Sequence, residues 1–294
     1  MRVQTEQTDH WADLAELRTL VVAQLQAEPK APYLGDEAWL NLRGWIANKF
    51  VMHLLSIEQL ASGIEVDVRG AKTVAFDFGS LAALVRVAVE NLIVFGHIFG
   101  VEDREQSLFR ALSWQLAGLI ERRDRVSITE YGHSSRLQTD KERLVVELRV
   151  RAHPTFQGMK PRDQKKFLSG DWRMSRGWVL LATGMGLNGS YFTQMYDWLS
   201  SLSHTSFDGA LQVNTATQLD ARAMTRRMLG VVCVVAAHFQ RLYAFAAPPQ
   251  RAVLAASPSK AVHERWCFSA QALAAQYDSR GRTFDQLSEP GPKG

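Results

Sequence analysis

Two short stretches carry most of the residues able to do chemistry. The first is Tyr196-Asp197-Trp198-Leu199-Ser200-Ser201-Leu202-Ser203-His204. On a helix, Tyr196, Ser200, Ser203 and His204 fall at i, i+4, i+7 and i+8, so one face holds a phenol, two hydroxyls and an imidazole. Met195, Leu199 and Leu202 form an adjoining apolar stripe, which turns the polar face inward or into a cleft. The second stretch is apolar from Phe78 to Phe99 apart from Arg86, Glu90, Asn91 and His97. Arg86 and Glu90 are i, i+4 neighbours, and His97 follows Arg86 by about three turns on the same stripe. Gly79 and Ala83 continue that stripe to where another backbone can approach closely. Desolvation makes a buried ion pair a poor stabiliser, so a polar stripe in an apolar helix points to a site. The competing reading is a hydrogen-bonded lock between helices.

If the two helices face each other, Arg86 offers a permanent cation with a planar donor fork suited to phosphate or carboxylate. Glu90 can orient Arg86, or act as a base if burial raises its affinity for protons. His204 is the natural proton carrier near neutrality, and Tyr196 and Ser200 can donate hydrogen bonds to a substrate. Metal-independent RNA cleavage needs a base for the 2′-hydroxyl and a cation for the phosphorane, and Arg86 with His204 can supply both. The sequence has no Gly-x-Ser-x-Gly elbow, His-x3-His pair or carboxylate cluster, so neither a conventional acyl-transfer site nor a metal or other cofactor is expected.

A third feature is electrostatic. Between 160 and 176, Lys160, Arg162, Lys165, Lys166, Arg173 and Arg176 outnumber Asp163 and Asp171, with Phe167 and Trp172 interleaved. Cations alternating with aromatics can follow a nucleic-acid backbone and stack bases, though a solvated linker anchored by two aromatics has the same composition. The chain of 294 residues carries a net charge of +4, so this run accounts for nearly all of the excess. Two cysteines, Cys233 and Cys267, allow no disulfide framework, and a reducing, cytoplasmic setting follows. The polar N-terminus lacks a signal core. The apolar runs at 81–100 and 228–237 are interrupted by charge or too short for lipid, so no membrane association is expected.

Helical periods dominate the rest of the chain. They predict helices over 11–26, 38–60 (capped by Asp36), 78–99, 101–125, 141–151, 175–183 and 261–277, with a long helix reaching about Phe245 from a capping box at Thr215 and Gln218. The segment 65–74 reads as a connector, 127–139 as a loop, and 205–209 as a helix end and turn. Gly184-Met185-Gly186-Leu187-Asn188-Gly189 matches G-x-G-x-x-G, but no βαβ pattern surrounds it, so it is expected to be a loop before the Tyr196 helix. The fold class is therefore all-α: a single-domain helical bundle over 1–278 with its core at about 76–247, and a disordered tail at 279–294.

The pairing of Arg86-x3-Glu90 in an apolar helix with a later Tyr196-x2-Leu199-Ser200-x3-His204 resembles a group of uncharacterised prokaryotic helical proteins. That group is distantly related to the HEPN (higher eukaryotes and prokaryotes nucleotide-binding) superfamily. The similarity covers roughly 76–208. It implies a HEPN-like helical core with extra helices, frequent dimerisation, and roles in toxin–antitoxin or antiviral systems, many as metal-independent ribonucleases. The sequence departs from those ribonucleases in one respect. None of its eight histidines follows an arginine at the Arg-x4–6-His spacing of their catalytic motif. The residues carried over are Arg86, Glu90, Tyr196, Ser200 and His204, with His97 and Ser203 as a secondary polar set. The partners implied are RNA or a phosphate-bearing small molecule, and a second copy or a partner protein. Two other readings share these residues: a non-enzymatic antitoxin-like or scaffold module whose polar set is structural, and an enzyme acting on a small anionic metabolite.

Overall fold

The computed structural model describes residues 9–125, 128–174, 176–204 and 206–272. It is 77% helix with one two-stranded sheet, so the all-α expectation holds. Helix α1 (His10–Gln26) is capped by Asp9, whose side chain accepts from the Trp11 and Ala12 N–H groups. A 3-10 segment, Gly35–Leu40, leads into α2 (Asn41–Ala61), which buries the expected stripe of Leu42, Ile46, Phe50, Leu54 and Ile57. Neither segment uses Asp36 as a side-chain cap.

The expected connector is an antiparallel hairpin instead, β1 (Ile64–Val68) with β2 (Ala71–Ala75). β1 alternates Ile64, Val66 and Val68 with two acids in sequence, and Arg69-Gly70 closes the hairpin with φ of 56° and 84°. Two consecutive positive φ values match the twist of a two-residue hairpin turn. Helix α3 (Phe78–Phe99) follows, its end carried by Asp77, which accepts from the Ser80 N–H. Helix α4 (Arg104–Asp124) is capped by Asp103. Helix α5 (Glu130–Ala152) includes most of the stretch read as a loop, with Thr129 as its cap. The N-terminal half of α5 buries only Thr139, so it offers no apolar stripe to read.

Short helices α6 (Pro154–Gln157), α7 (Pro161–Leu168) and α8 (Trp178–Gly184) precede α9 (Gly189–Ser203), which Asn188 caps. The expected turn after His204 opens α10 (Phe207–Thr215), with Ser206 at its cap. Helix α11 (Gln218–Ala246) starts from a capping box two residues later than expected, Thr217 with Asp220 in place of Thr215 with Gln218. Pro248-Pro249 both end α11 and start α12 (Pro248–Ala256), since proline is tolerated where a helix has no intrahelical use for the N–H. Helix α13 (Lys260–Trp266) is shorter than expected, and the predicted tail at 279–294 lies outside the described residues.

Helices α3 and α11 form the centre and run in the same direction. Arg222 lies over the Phe76 ring just before α3, and Phe95 packs on Phe239 and Tyr243 further along. Helix α1 covers α11, while α2 and α9 cover α3. Both central helices are long and apolar enough to cross a bilayer, and 61% and 83% of their apolar windows are buried in the bundle. A satellite core of Phe109, Leu112, Leu116, Val150, Phe156 and Phe167 holds α4 to α5, α6 and α7. The glycine-rich turn before α9 is the loop expected. A Cβ at Gly96 of α3 would collide with Met185, so glycine lets that loop seat against the helix.

Candidate functional site

The two sequence stretches converge. Arg86 and Glu90 lie on α3, and Tyr196 faces them from α9. The Arg86 Nε–H donates to the Tyr196 hydroxyl at 3.1 Å and lies 3.2 Å from Glu90 Oε1. The Tyr196 hydroxyl donates in turn to Glu90 Oε1 at 2.6 Å. The guanidinium also sits 5.0 Å from the centre of the Tyr196 ring, within cation–π range. Burial by itself works against the charge on Arg86. Tyr196 and Glu90 outweigh it, and the proton affinity of the guanidinium is raised. Burial and the bond to Glu90 likewise raise the Tyr196 phenol, so it stays a hydroxyl.

His204 completes the set from the end of α9. It is the residue just past the last helical turn, with extended backbone (φ −99°, ψ 157°), and its N–H donates to the Ser200 carbonyl. That geometry swings the imidazole back toward α3, where Arg86 Nη1 lies 2.7 Å from Nε2. Arginine has no acceptor, so Nε2 accepts and the neutral ring carries its proton on Nδ1. His204 is exposed, and the side chains of Arg86 and Glu90 remain 25% and 26% exposed. Arg86 Nη2 has no hydrogen-bond partner among the described residues. A Cβ on Gly79 of α3 would lie 3.5 Å from the Leu202 carbonyl of α9.

A second Arg–Glu–Tyr cluster in the same protein shows what a closed lock looks like. Arg43 of α2 grips Glu28 through Nε (2.7 Å) and Nη2 (2.8 Å), Tyr243 of α11 donates to Glu28 at 2.8 Å, and Nη2 also reaches Tyr33. The side chains of Arg43 and Glu28 are only 7% and 13% exposed, and a third nitrogen, Nη1, reaches the Ala246 carbonyl. Sequence reading misses this cluster because its members lie up to 215 residues apart.

The remaining expected site residues are not brought to Arg86. The Ser200 hydroxyl makes no hydrogen bond among the described residues, and the Ser203 hydroxyl donates to the Ser200 carbonyl. His97 shares the α3 stripe but faces different neighbours. Its ring packs on Trp172 at 5.3 Å, and its carbonyl accepts from Arg110 at 2.8 Å. Eleven residues of helix separate it from Arg86 by about 16 Å, enough for α9 to serve one end of α3 and the 172 turn the other. In the basic run, Lys160 precedes α7, and Arg162, Lys165 and Lys166 lie on it. Arg173 stacks over Trp178 at 5.0 Å, and Arg176 follows in the next turn. No ion pair or hydrogen bond joins this run to Arg86, Glu90, Tyr196 or His204 among the described residues. Arg110 is the polar residue sequence reading passed over, since it sits in an ordinary amphipathic helix.

No group of histidine, cysteine and carboxylate side chains suited to a metal occurs among the described residues. No protein-family model, curated protein or solved structure matches the chain.

Proposed function

We propose that the protein is a HEPN-like helical protein that binds RNA, or another phosphate-bearing ligand, at the Arg86–His204 site. The proposed reaction is metal-independent cleavage of RNA in bacterial stress or antiviral defence. The observation that carries this reading is the openness of the set. Tyr196, Glu90 and His204 orient the Arg86 fork while one of its nitrogens stays unengaged and a quarter of the side chain faces solvent. An oriented guanidinium of this kind suits a phosphate or the extra charge of a phosphorane.

On this reading a phosphodiester engages Arg86 and draws its Nη1 from His204. The freed Nε2 lone pair takes the proton of the 2′-hydroxyl, and O2′ attacks phosphorus. The P–O5′ bond breaks, O5′ takes a proton from water, the hydroxide left behind removes the proton from His204, and the products are a 2′,3′-cyclic phosphate and a 5′-hydroxyl end. Tyr196 and Glu90 do not react; they keep the cation in place. Two free cysteines fit a reducing compartment, and we place the activity in the cytoplasm.

One observation favours a second reading, a non-enzymatic interaction module. The Arg86–Tyr196–Glu90 bonds tie α3 to α9 and can serve as a lock between them. Labelled single-stranded RNA incubated with the protein in EDTA tests the first reading. Cyclic-phosphate products that disappear in both Arg86→Ala and His204→Ala are expected. Wild-type protein that leaves every RNA intact would overturn cleavage.

A further inference from the structure

Helix α5 has two faces that carry apolar side chains, and the bundle uses one of them. Thr139, Arg143, Val146 and Val150 fall at i, i+4, i+7 and i+11, a single stripe turned toward α4. Thr139 and Val150 are fully buried there, and Arg143 is held by Asp140 and Glu147. Half a turn round the helix, Ser134, Leu137, Lys141, Leu144, Leu148 and Arg151 all lie exposed. Leu137, Leu144 and Leu148 are 68%, 49% and 67% exposed, and Val145 beside them is 60% exposed. A single exposed leucine is ordinary, but three on one line of a helix form a ridge of the kind that marks a contact surface.

The ridge has heptad spacing. Its six positions advance by three and four residues in turn, the step that keeps a straight seam between two helices. A second copy of the same helix completes that seam. Laid antiparallel, Leu137 meets Leu148 of the second copy, Leu144 meets Lys141, and Ser134 meets Arg151, so the six positions pair off with none left over. A parallel arrangement would set Lys141 against its own copy, two like charges in the middle of the seam. In the antiparallel one the Lys141 stem lies along Leu144 and its ammonium reaches water. On the flank, Asp140 and Glu147 are already engaged by Arg143, and Glu147 by Arg151 as well. Over its length α5 carries five lysine and arginine residues against four acidic ones, so two copies bring nearly balanced charge together. With the stems of Lys141 and Arg151, the ridge offers on the order of 500 Å² of mainly apolar surface per copy, judged from the transfer energies of buried aliphatic chains. Two copies bury about 1,000 Å² in total, the lower edge of specific association, which suits a reversible dimer and not an obligate one.

We propose that α5 is a dimerisation helix, which pairs antiparallel with α5 of a second copy of this chain through Leu137, Leu144 and Leu148. The contact is isologous, each copy giving the same ridge to the other. It rests on the exposure and spacing of α5 and does not depend on the reading of Arg86.

Sedimentation velocity of the full chain, from micromolar to sub-millimolar concentration, tests the proposal. The wild type is expected to pass reversibly from monomer to dimer. Leu144→Lys sets two cations against each other and should leave only monomer, with an unchanged melting temperature at low concentration because the side chain has no intramolecular packing to lose. Leu144→Glu faces Lys141 and should dimerise at least tenfold more tightly than Leu144→Lys. Lys141→Leu completes the apolar seam and should dimerise at least tenfold more tightly than the wild type. A dimer that survives Leu144→Lys intact would place the interface elsewhere and overturn the proposal, and equal losses in Leu144→Glu and Leu144→Lys would overturn the antiparallel seam. Wild-type chain that stays monomeric throughout would also overturn it. Flotation of that monomer with phosphatidylcholine–phosphatidylserine vesicles would then assign the ridge to a lipid surface, and failure to float would assign it to a different protein.

Discussion

Arg86 and Arg43 make nearly the same contacts, a glutamate and a tyrosine hydroxyl, in opposite surroundings. Removing Arg43 leaves Glu28 buried without its cation, and Arg43→Ala should cost about 3–5 kcal/mol in urea unfolding. Arg86→Ala leaves Glu90 partly hydrated and still bonded to Tyr196, so its cost should stay at about 1 kcal/mol or below. Equal losses in the two variants would mean that the Arg86 cluster is as structural as the Arg43 cluster. Tyr196→Phe removes the hydroxyl that positions Arg86 between Glu90 and His204. About 1 kcal/mol of stability should go with it. RNA affinity should weaken several-fold, measured by filter binding, because the guanidinium loses a fixed partner and not its charge.

The C-terminal end of α9 is fixed by the start of α10. A Cβ at Gly209 would run into the Ser201 carbonyl, while one at Gly79 would make only ordinary contact with the Leu202 carbonyl. Gly209→Ala should therefore destabilise by about 1–3 kcal/mol and loosen His204, whereas Gly79→Ala should be neutral or slightly stabilising. Thermal melts of the pair check this, and a tolerated Gly209→Ala would contradict the packing described for that helix end. The same junction marks the limit of what the sequence reveals. Helix α3 was legible because its apolar run fills it from end to end, and the polar faces carrying Arg86, Glu90 and Tyr196 raised the pairing of two helices that the structure shows. The hairpin at 64–75 escaped because two five-residue strands give little period to read, although Arg69-Gly70 is a turn signal. The first half of α5 escaped because it buries almost nothing. His204 was placed on the helix face, whereas its extended backbone just beyond α9 is what points the ring at Arg86.

Across the bundle, acid sensitivity follows from two histidines kept neutral. His238, 1% exposed and with neither ring nitrogen bonded among the described residues, is pushed down to about 3 by burial first, then by Arg241 and His263. His97 is pushed down to about 4. In the unfolded chain both take up a proton near pH 6.5, so below that pH the unfolded state binds more protons and stability falls. The slope reaches about 1.4 kcal/mol per pH unit for each histidine, and the loss levels off only below the folded values. The urea midpoint should drop between pH 7 and pH 5, and His238→Leu should show a smaller drop; equal drops would contradict the assignment. The openness of the Arg86 cluster is tested most directly by measuring two properties of one variant, Arg86→Ala: its melting temperature and its affinity for labelled single-stranded RNA. A melting temperature within a few degrees of wild type together with at least tenfold weaker RNA binding is the expected result. A large fall in melting temperature with RNA binding absent in the wild type and the variant alike would show the cluster to be a lock between α3 and α9.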